Sequence, residues 1–396
     1  MDGKWALDPE SESAMLIALL RKLLAVCALG VCALVVSSCA QEPSQTSKSF
    51  ATWEWGGIAR AVSVTPSVNN HNYVFGTSTD EVDSLAELAS VYNPSMERLG
   101  EGYVAPDKDQ LVVFDSDFRK QSEKPLAGLG LPTQTASAGS VDNKAAVFVF
   151  NESTSDSPYA SRIVLATKET TSTVTRDRRP VALRACTDEK AVWIERDEDD
   201  GSGLTLVRMG VDGLLSESRL DTPAGTVASE YFSVLGCGKE KSYISFPDDT
   251  GGAYVVSVGT SNEKPTLKHE GNIERLPIPG VNRSSRYEEG SVSYFTSRGT
   301  IVALDLERQE VKETEPLIGA DRRPVSATID GGNLYIVTQP IEGAEELRVH
   351  SFTFKDPAAD KDGAHIAKLS QLMQGGTAKG AYTIPMSIYP FDKRTE

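Results

Sequence analysis

Beyond its first fifty or so residues the chain is a succession of short apolar runs separated by Gly, Asp, Asn and Ser. The runs are YVFGT at Tyr73, QLVVFD at Gln110, AAVFVF at Ala145, AVWIE at Ala191, SYISF at Ser242, VSYFT at Val292 and LYIVT at Leu334. They are rich in Val, Ile, Tyr and Phe, as strands are. Several alternate. In VSYFT, Val292, Tyr294 and Thr296 face one way. The runs start 35 to 51 residues apart, and a period in that range marks a repeat architecture.

The later units share one plan: an extended run, a polar turn, the apolar strand, a Gly/Asp-rich turn and a second alternating strand. One unit reads PVALRAC, TDEK, AVWIE, RDEDDGSG, LTLVRM; another reads RPVSATI, DGGN, LYIVT, QPIEGAE, ELRVHSF. The pentapeptide DRRPV opens both, at Asp177 and Asp321, 144 residues or three periods apart. Proline fits the first position of a strand, where no ladder N–H is yet needed. A strand followed by a hairpin, with room for a fourth strand, is one propeller blade. The layout is similar to quinoprotein-like and Trp-Asp-repeat-like propellers, with none of their repeating signature motifs. The expected fold is all-β, a β-propeller of about seven four-stranded blades. Six or eight blades also fit the length, because the first two units are irregular. An open sandwich or two β domains is the alternative. DEVDSLAELASVY at Asp80 and HIAKLSQLMQGG at His365 read as short helices. WEWGG at Trp53 reads as a first or closing strand.

Residues 15–40 read MLIALLRKLLAVCALGVCALVVSSCA. Arg21 and Lys22 precede a 14-residue apolar stretch, Leu23–Val36, then Ser37, Ser38 and Cys39. This is the layout of a secretory signal, with an apolar core short of the roughly 20 residues of a membrane span. VSSC at Val36–Cys39 resembles the lipobox of bacterial lipoproteins. The resemblance implies a diacylglyceryl group on the Cys39 thiol, cleavage ahead of it, and a protein anchored by lipid on the extracytoplasmic face of a cell membrane. An ordinary signal cleaved near Ser38, or an uncleaved anchor, is the alternative. The acidic stretch ahead of Met15 is wrong for an n-region, so translation is expected to start at Met15. The expected segments are a signal over 1–38, the lipidated cysteine and a polar tether over 39–50, and the propeller over 51–396.

The formal charge of −16 argues against nucleic acid as a partner, because phosphate binding needs a basic footprint. Beyond Cys39 the only cysteines are Cys186 and Cys237, each four residues before a lysine at the end of an inner strand. In an exported protein they could pair; two small buried thiols at one repeat position is the other reading. Arg178, Arg179, Arg322 and Arg323 precede inner strands. The hairpin turns that open on the same face carry Asp197, Asp199, Asp200, Asp248 and Asp249. They outline a charged binding face, or else ordinary solvated loops and surface ion pairs. DEDDG at Asp197 lacks the distal Glu of an EF-hand calcium loop. No metal site, cofactor or catalytic residue is expected, and no nucleophile or nucleotide motif is present. The function expected is a monomeric, lipid-anchored propeller that binds an envelope protein or a ligand on one face without catalysis. The alternatives are a hydrolase or lyase acting on carbohydrate or lactone, with acids or a metal converging on the channel and a displaced pKa, and a small-molecule or cofactor-binding propeller.

Overall fold

In the computed structural model the described residues are 53–62, 72–88, 94–126, 133–196, 203–220, 233–237, 241–247, 253–259, 267–273, 285–342, 346–372 and 382–391, less single positions at 289, 297, 307, 309, 359 and 361. The signal segment, Cys39 and the tether lie outside them. The body is a seven-bladed propeller whose blades are four-stranded antiparallel sheets. The first blade takes β1 (Trp55–Val62), β2 (Asn72–Thr77) and β3 (Val82–Leu88). The second is β4 (Glu97–Leu99), β5 (Gly102–Asp107), β6 (Gln110–Phe114) and β7 (Lys120–Pro125). The third is β8 (Thr133–Gly139), β9 (Ala145–Asn151), β10 (Ser161–Thr167) and β11 (Thr171–Arg176). The fourth is β12 (Pro180–Ala185), β13 (Ala191–Arg196), β14 (Leu204–Gly210) and β15 (Gly213–Leu220). The fifth is β16 (Ser233–Cys237), β17 (Lys241–Pro247), β18 (Ala253–Gly259) and β19 (Leu267–Ile273). The sixth is β20 (Ser285–Glu288), β21 (Ser291–Phe295), β22 (Ile301–Asp305) and β23 (Glu310–Glu313). The seventh is β24 (Arg322–Asp330), β25 (Asn333–Pro340), β26 (Arg348–Thr353) and β27 (Ala364–His365). The last strand, β28 (Tyr382–Pro390), pairs with β1 and becomes the inner strand of the first blade. The two ends of the body thus close the ring within one sheet, which removes its open edge.

Closure explains WEWGG. A Cβ on Gly57 would lie 2.1 Å from the Ser387 carbonyl of β28, and one on Gly56 would strike the Phe118 and Phe391 rings. Only glycine permits both approaches.

The apolar core lies between blades rather than within them. Val192, Ile194 and Leu206 of the fourth blade pack on Val234, Ile244 and Phe246 of the fifth. Phe148 and Phe150 pack on Val104 and Leu111. Each central strand is therefore covered on both faces, which is why AAVFVF is continuously buried from Ala145 to Phe150. The disulfide Cys186–Cys237 joins the ends of β12 and β16, with Cα atoms 5.3 Å apart. A bridge of that span contributes about 4 kcal/mol in the chain-entropy model.

The DRRPV copies open β12 and β24, and the pairing refines their meaning. Both inner strands shift register immediately after the proline, between Pro180 and Ala182 and between Pro324 and Ser326. The bulged residues are Val181 and Val325. β28 does the same after Pro385, which faces Ala59 while Ser387 faces Ile58. Proline offers no ladder donor, so it costs least beside a bulge. In β24 the two arginines belong to the strand, so the proline there is the third residue and not the first.

Two expectations are corrected. DEVDSLAELASVY supplies strand β3, not a helix. Its pairing with β2 slips between Ala86 and Ser84, and the bulge at Leu85 breaks the two-residue alternation into three-residue steps. HIAKLSQLMQGG contributes the end of β27 and a single 3-10 turn, Leu369–Leu372. Its apolar residues Ile366, Leu369 and Leu372 plug the core between the seventh and first blades.

Arg176 staples the third blade to the fourth. Its guanidinium donates to both oxygens of Glu195, at 2.8 and 2.9 Å, and to Glu217 at 2.6 Å. Glu195 is fully buried and also accepts from the Trp193 indole at 2.7 Å. Breaking such a pair from one side leaves an uncompensated buried charge. Arg176→Ala is expected to cost about 3–5 kcal/mol, read as a lower urea midpoint; an unchanged midpoint would refute the staple.

Candidate functional site

Inner strands of a ring leave a channel between them, and here it is a cavity of about 810 Å3. Its walls come from β4, β8, β12, β16, β20, β24 and β28 and the residues beside them. Bulges at Thr135, Val181 and Met386 open onto it. Among the described residues its charged lining is one carboxyl, Glu97, and four guanidiniums, Arg98, Arg179, Arg184 and Arg196. In a chain of net charge −16 that lining is markedly cationic.

Glu97 opens β4, a strand of three residues. Its Oε1 accepts from Ser137 Oγ at 2.5 Å, Ser137 accepts from Ser95 Oγ at 2.5 Å, and the Gln134 amide donates to Ser95 Oγ. The Gly139 backbone also donates to the carboxylate. A Cβ at Gly139 would lie 3.1 Å from Oε2. Burial nevertheless raises the Glu97 carboxyl to about 7, against the lowering by Ser137, Gly139 and Arg184. Aromatic packing holds the strand in place. Tyr103 stacks on Phe118 and meets Tyr389 at 4.7 Å between ring centres. The closing strand holds the preceding residue at two points: Tyr389 donates to the Met96 carbonyl at 2.6 Å, and Met96 N–H donates to Ser387 Oγ at 3.2 Å. Arg98 donates to Tyr103 at 2.5 Å and lies 3.8 Å from Asp330.

Arg184 is the charged residue inside PVALRAC, on β12. It is buried, and it donates from Nη1 to Ser285 Oγ at 2.6 Å and from Nη2 to the Ser285 carbonyl. That reach crosses from the fourth blade to the sixth. No carboxylate forms an ion pair with it among the described residues. Burial pulls its pKa down to about 10, and the charge of Glu97 acts in the opposite direction.

The four arginines expected on one face divide. Arg179 is exposed and lines the cavity. Arg178 donates to Thr205 Oγ1 at 3.4 Å. Arg323 donates to the Gln339 side chain, oriented to accept, at 2.7 and 2.5 Å. Arg322 is turned inward, which corrects its placement on the face. It donates to Thr338 Oγ1 at 2.9 Å and to the Glu346 carbonyl at 2.6 Å. Thr338 in turn shares a 2.9 Å hydrogen bond with buried His350, whose Nδ1 donates to the Asp360 carbonyl at 2.7 Å. Burial holds His350 below its usual pKa range. This chain of contacts ties the loop ahead of β27 onto the seventh blade. Asp197, Asp199, Asp200, Asp248 and Asp249, with the DEDDG stretch, lie outside the described residues. Among the described residues no group of His, Cys, Asp and Glu could hold a metal ion.

The sequence reading missed Glu97, Ser137, Arg184 and Ser285. Arg184 carried a signal, being a charge inside an apolar inner-strand run. Glu97 carried none, since nothing around ERL marks a channel position.

No protein-family model matches the chain, and no curated protein matches it in sequence. Solved structures do match. The dihydro-heme d1 dehydrogenase NirN in complex with DHE is 16% identical over 84% of this chain and 75% of its own, with a TM-score of 0.43. The propeller domain of Myceliophteria thermophila Cps50 (Swd1) is 10% identical over 71% and 87%, with a TM-score of 0.43. BamB from Moraxella catarrhalis is 11% identical over 68% and 88%, with a TM-score of 0.36.

Because the folded Glu97 carboxyl titrates higher than an unfolded one, its ionisation opposes folding. The penalty grows as pH rises from about 4.5 to 7 and is complete above that. Glu97→Gln is therefore expected to stabilise the protein by about 1–3 kcal/mol at pH 8, with the gain vanishing by about pH 4. Urea midpoints of both proteins across this range check it; equal midpoints at pH 8 would contradict it.

Proposed function

We propose that this chain is a lipid-anchored, extracytoplasmic propeller that binds a ligand or a partner protein at its central channel and performs no chemistry of its own. The observation that carries the binding role is the cavity itself: a large, preformed concave site at the axis of a rigid ring, with a few charged and hydroxyl groups converging on it. The signal-like segment and VSSC support the anchor. Two acyl chains or more would hold the protein stably at a membrane, and the polar stretch after Cys39 would let the ring stand off the surface.

One observation favours the second reading, a hydrolase or lyase. The Glu97 carboxyl titrates near 7, where a general acid or base works best. Glu97 is, however, the single carboxyl lining the cavity among the described residues. Two-carboxylate hydrolysis would need a second.

The test has two arms. Labelled palmitate is expected to enter the wild type and not Cys39→Ser, and only the wild type should sediment with membranes. From native envelopes, mature wild-type protein is expected to capture a partner or ligand that a folded Arg179→Glu variant does not. Soluble wild type without label would refute the anchor. Capture of nothing, or equal capture by both proteins, would refute binding at the channel.

A further inference from the structure

Arg184 poses a question that the fold does not answer. A buried guanidinium normally has a carboxylate beside it, because an isolated buried charge is costly. Here the contacts are one serine, Ser285, through its hydroxyl and carbonyl. The other N–H donors of the fork have no protein partner among the described residues, and the residue lines the open cavity. Arg179 lines the same cavity and likewise has no ion pair or hydrogen bond among the described residues. The missing counter-charge has room to come from outside. A planar fork with adjacent donors free matches a carboxylate better than it matches any neutral group.

We propose that the channel binds a small organic carboxylic acid as its anion, with the carboxylate on Arg184 and the remainder of the molecule in the cavity towards Arg179. This rests on the channel-binding reading above and names its ligand class. Met386, Val181 and Ala327 supply apolar wall to the same cavity, so an organic acid fits better than a bare inorganic ion. Glu97 adds a pH dependence. Protonated, it can donate to a ligand carboxylate; ionised, it repels one. The charged and titratable groups around it are Arg98 on its own strand, Arg184 on β12, Tyr103 on β5, Tyr389 on β28 and Asp330 at the end of β24. Arg98 is engaged by Tyr103 and Asp330.

The mature protein would be titrated with benzoate and glucuronate, with benzamide and glucose as neutral counterparts, and with inorganic phosphate as a separate arm. Calorimetry and thermal shift are the readouts. At least one carboxylate is expected to bind and raise the melting temperature, with its neutral counterpart without effect. Arg184→Met is expected to weaken that binding at least tenfold while leaving the ligand-free protein as stable as the wild type or more so, since it removes an unpaired buried charge. Arg179→Gln, at an exposed site that cannot unfold the ring, is expected to weaken it several-fold. Affinity should fall between pH 6 and pH 8 in the wild type and stay level in Glu97→Gln. Binding of no carboxylate, equal binding of neutral counterparts, or phosphate alone binding would overturn the proposal. So would a large loss of ligand-free stability in Arg184→Met, which would make Arg184 a structural residue. If envelope capture succeeds while every carboxylate fails, the channel-binding reading stands and only the ligand class falls.

Discussion

The pairing of the last strand with the first is the contact on which the rest of this protein depends. Seven sheets that are apolar on both faces cannot each find cover in a row, because the two end sheets would expose one face. A ring solves this, and β28 on β1 is what holds the ring shut. The same strand reaches into the site. Tyr389 and Ser387 hold the backbone of Met96, and Glu97 is the next residue. Closure and site geometry are therefore one event, and a change that loosens the closing strand should disturb the carboxyl before it disturbs the outer strands.

The site has the character of a place where folding rules yield to something else. Three other buried or half-buried guanidiniums show how this chain treats charge. Arg176 has Glu195 and Glu217, Arg322 has Thr338 and a row of carbonyls, and Arg98 has Tyr103 and Asp330. Of these four, Arg98 and Arg184 line the channel, and among the described residues Arg184 has only a serine as its partner. In the same lining, Glu97 keeps a carboxyl poised between its charge states at neutral pH. Local inconsistencies of this kind tend to gather where a protein works.

Much of the architecture was legible in the sequence, and for a physical reason. A ring of repeated sheets repeats its apolar strands, and strands such as LYIVT and AVWIE carry that period openly. Where the period was misread, the backbone was irregular. Val82, Leu85 and Leu88 fall at helical spacing because β3 is bulged, and Ile366, Leu369 and Leu372 do so because they plug the ring's seam. The disulfide positions could be named from their repeat equivalence, though not their distance. The channel was not legible. Its lining combines single residues from blades far apart in sequence, and Glu97 meets Ser137, and comes within the field of Arg184, only once the ring has closed. DRRPV shows the same limit within one motif: both copies place a proline before a bulge, yet Arg179 faces the channel while the equivalent of its neighbour, Arg322, is buried under Thr338.

The most direct test of the account is what the protein carries when purified from its native envelope. Native mass spectrometry would compare mature wild type with Arg184→Met. The account predicts an acidic small molecule bound to the wild type, released on unfolding, and missing from the variant. A wild type with no bound molecule, or the same molecule retained by the variant, would contradict the claim that Arg184 is kept unpaired for a ligand.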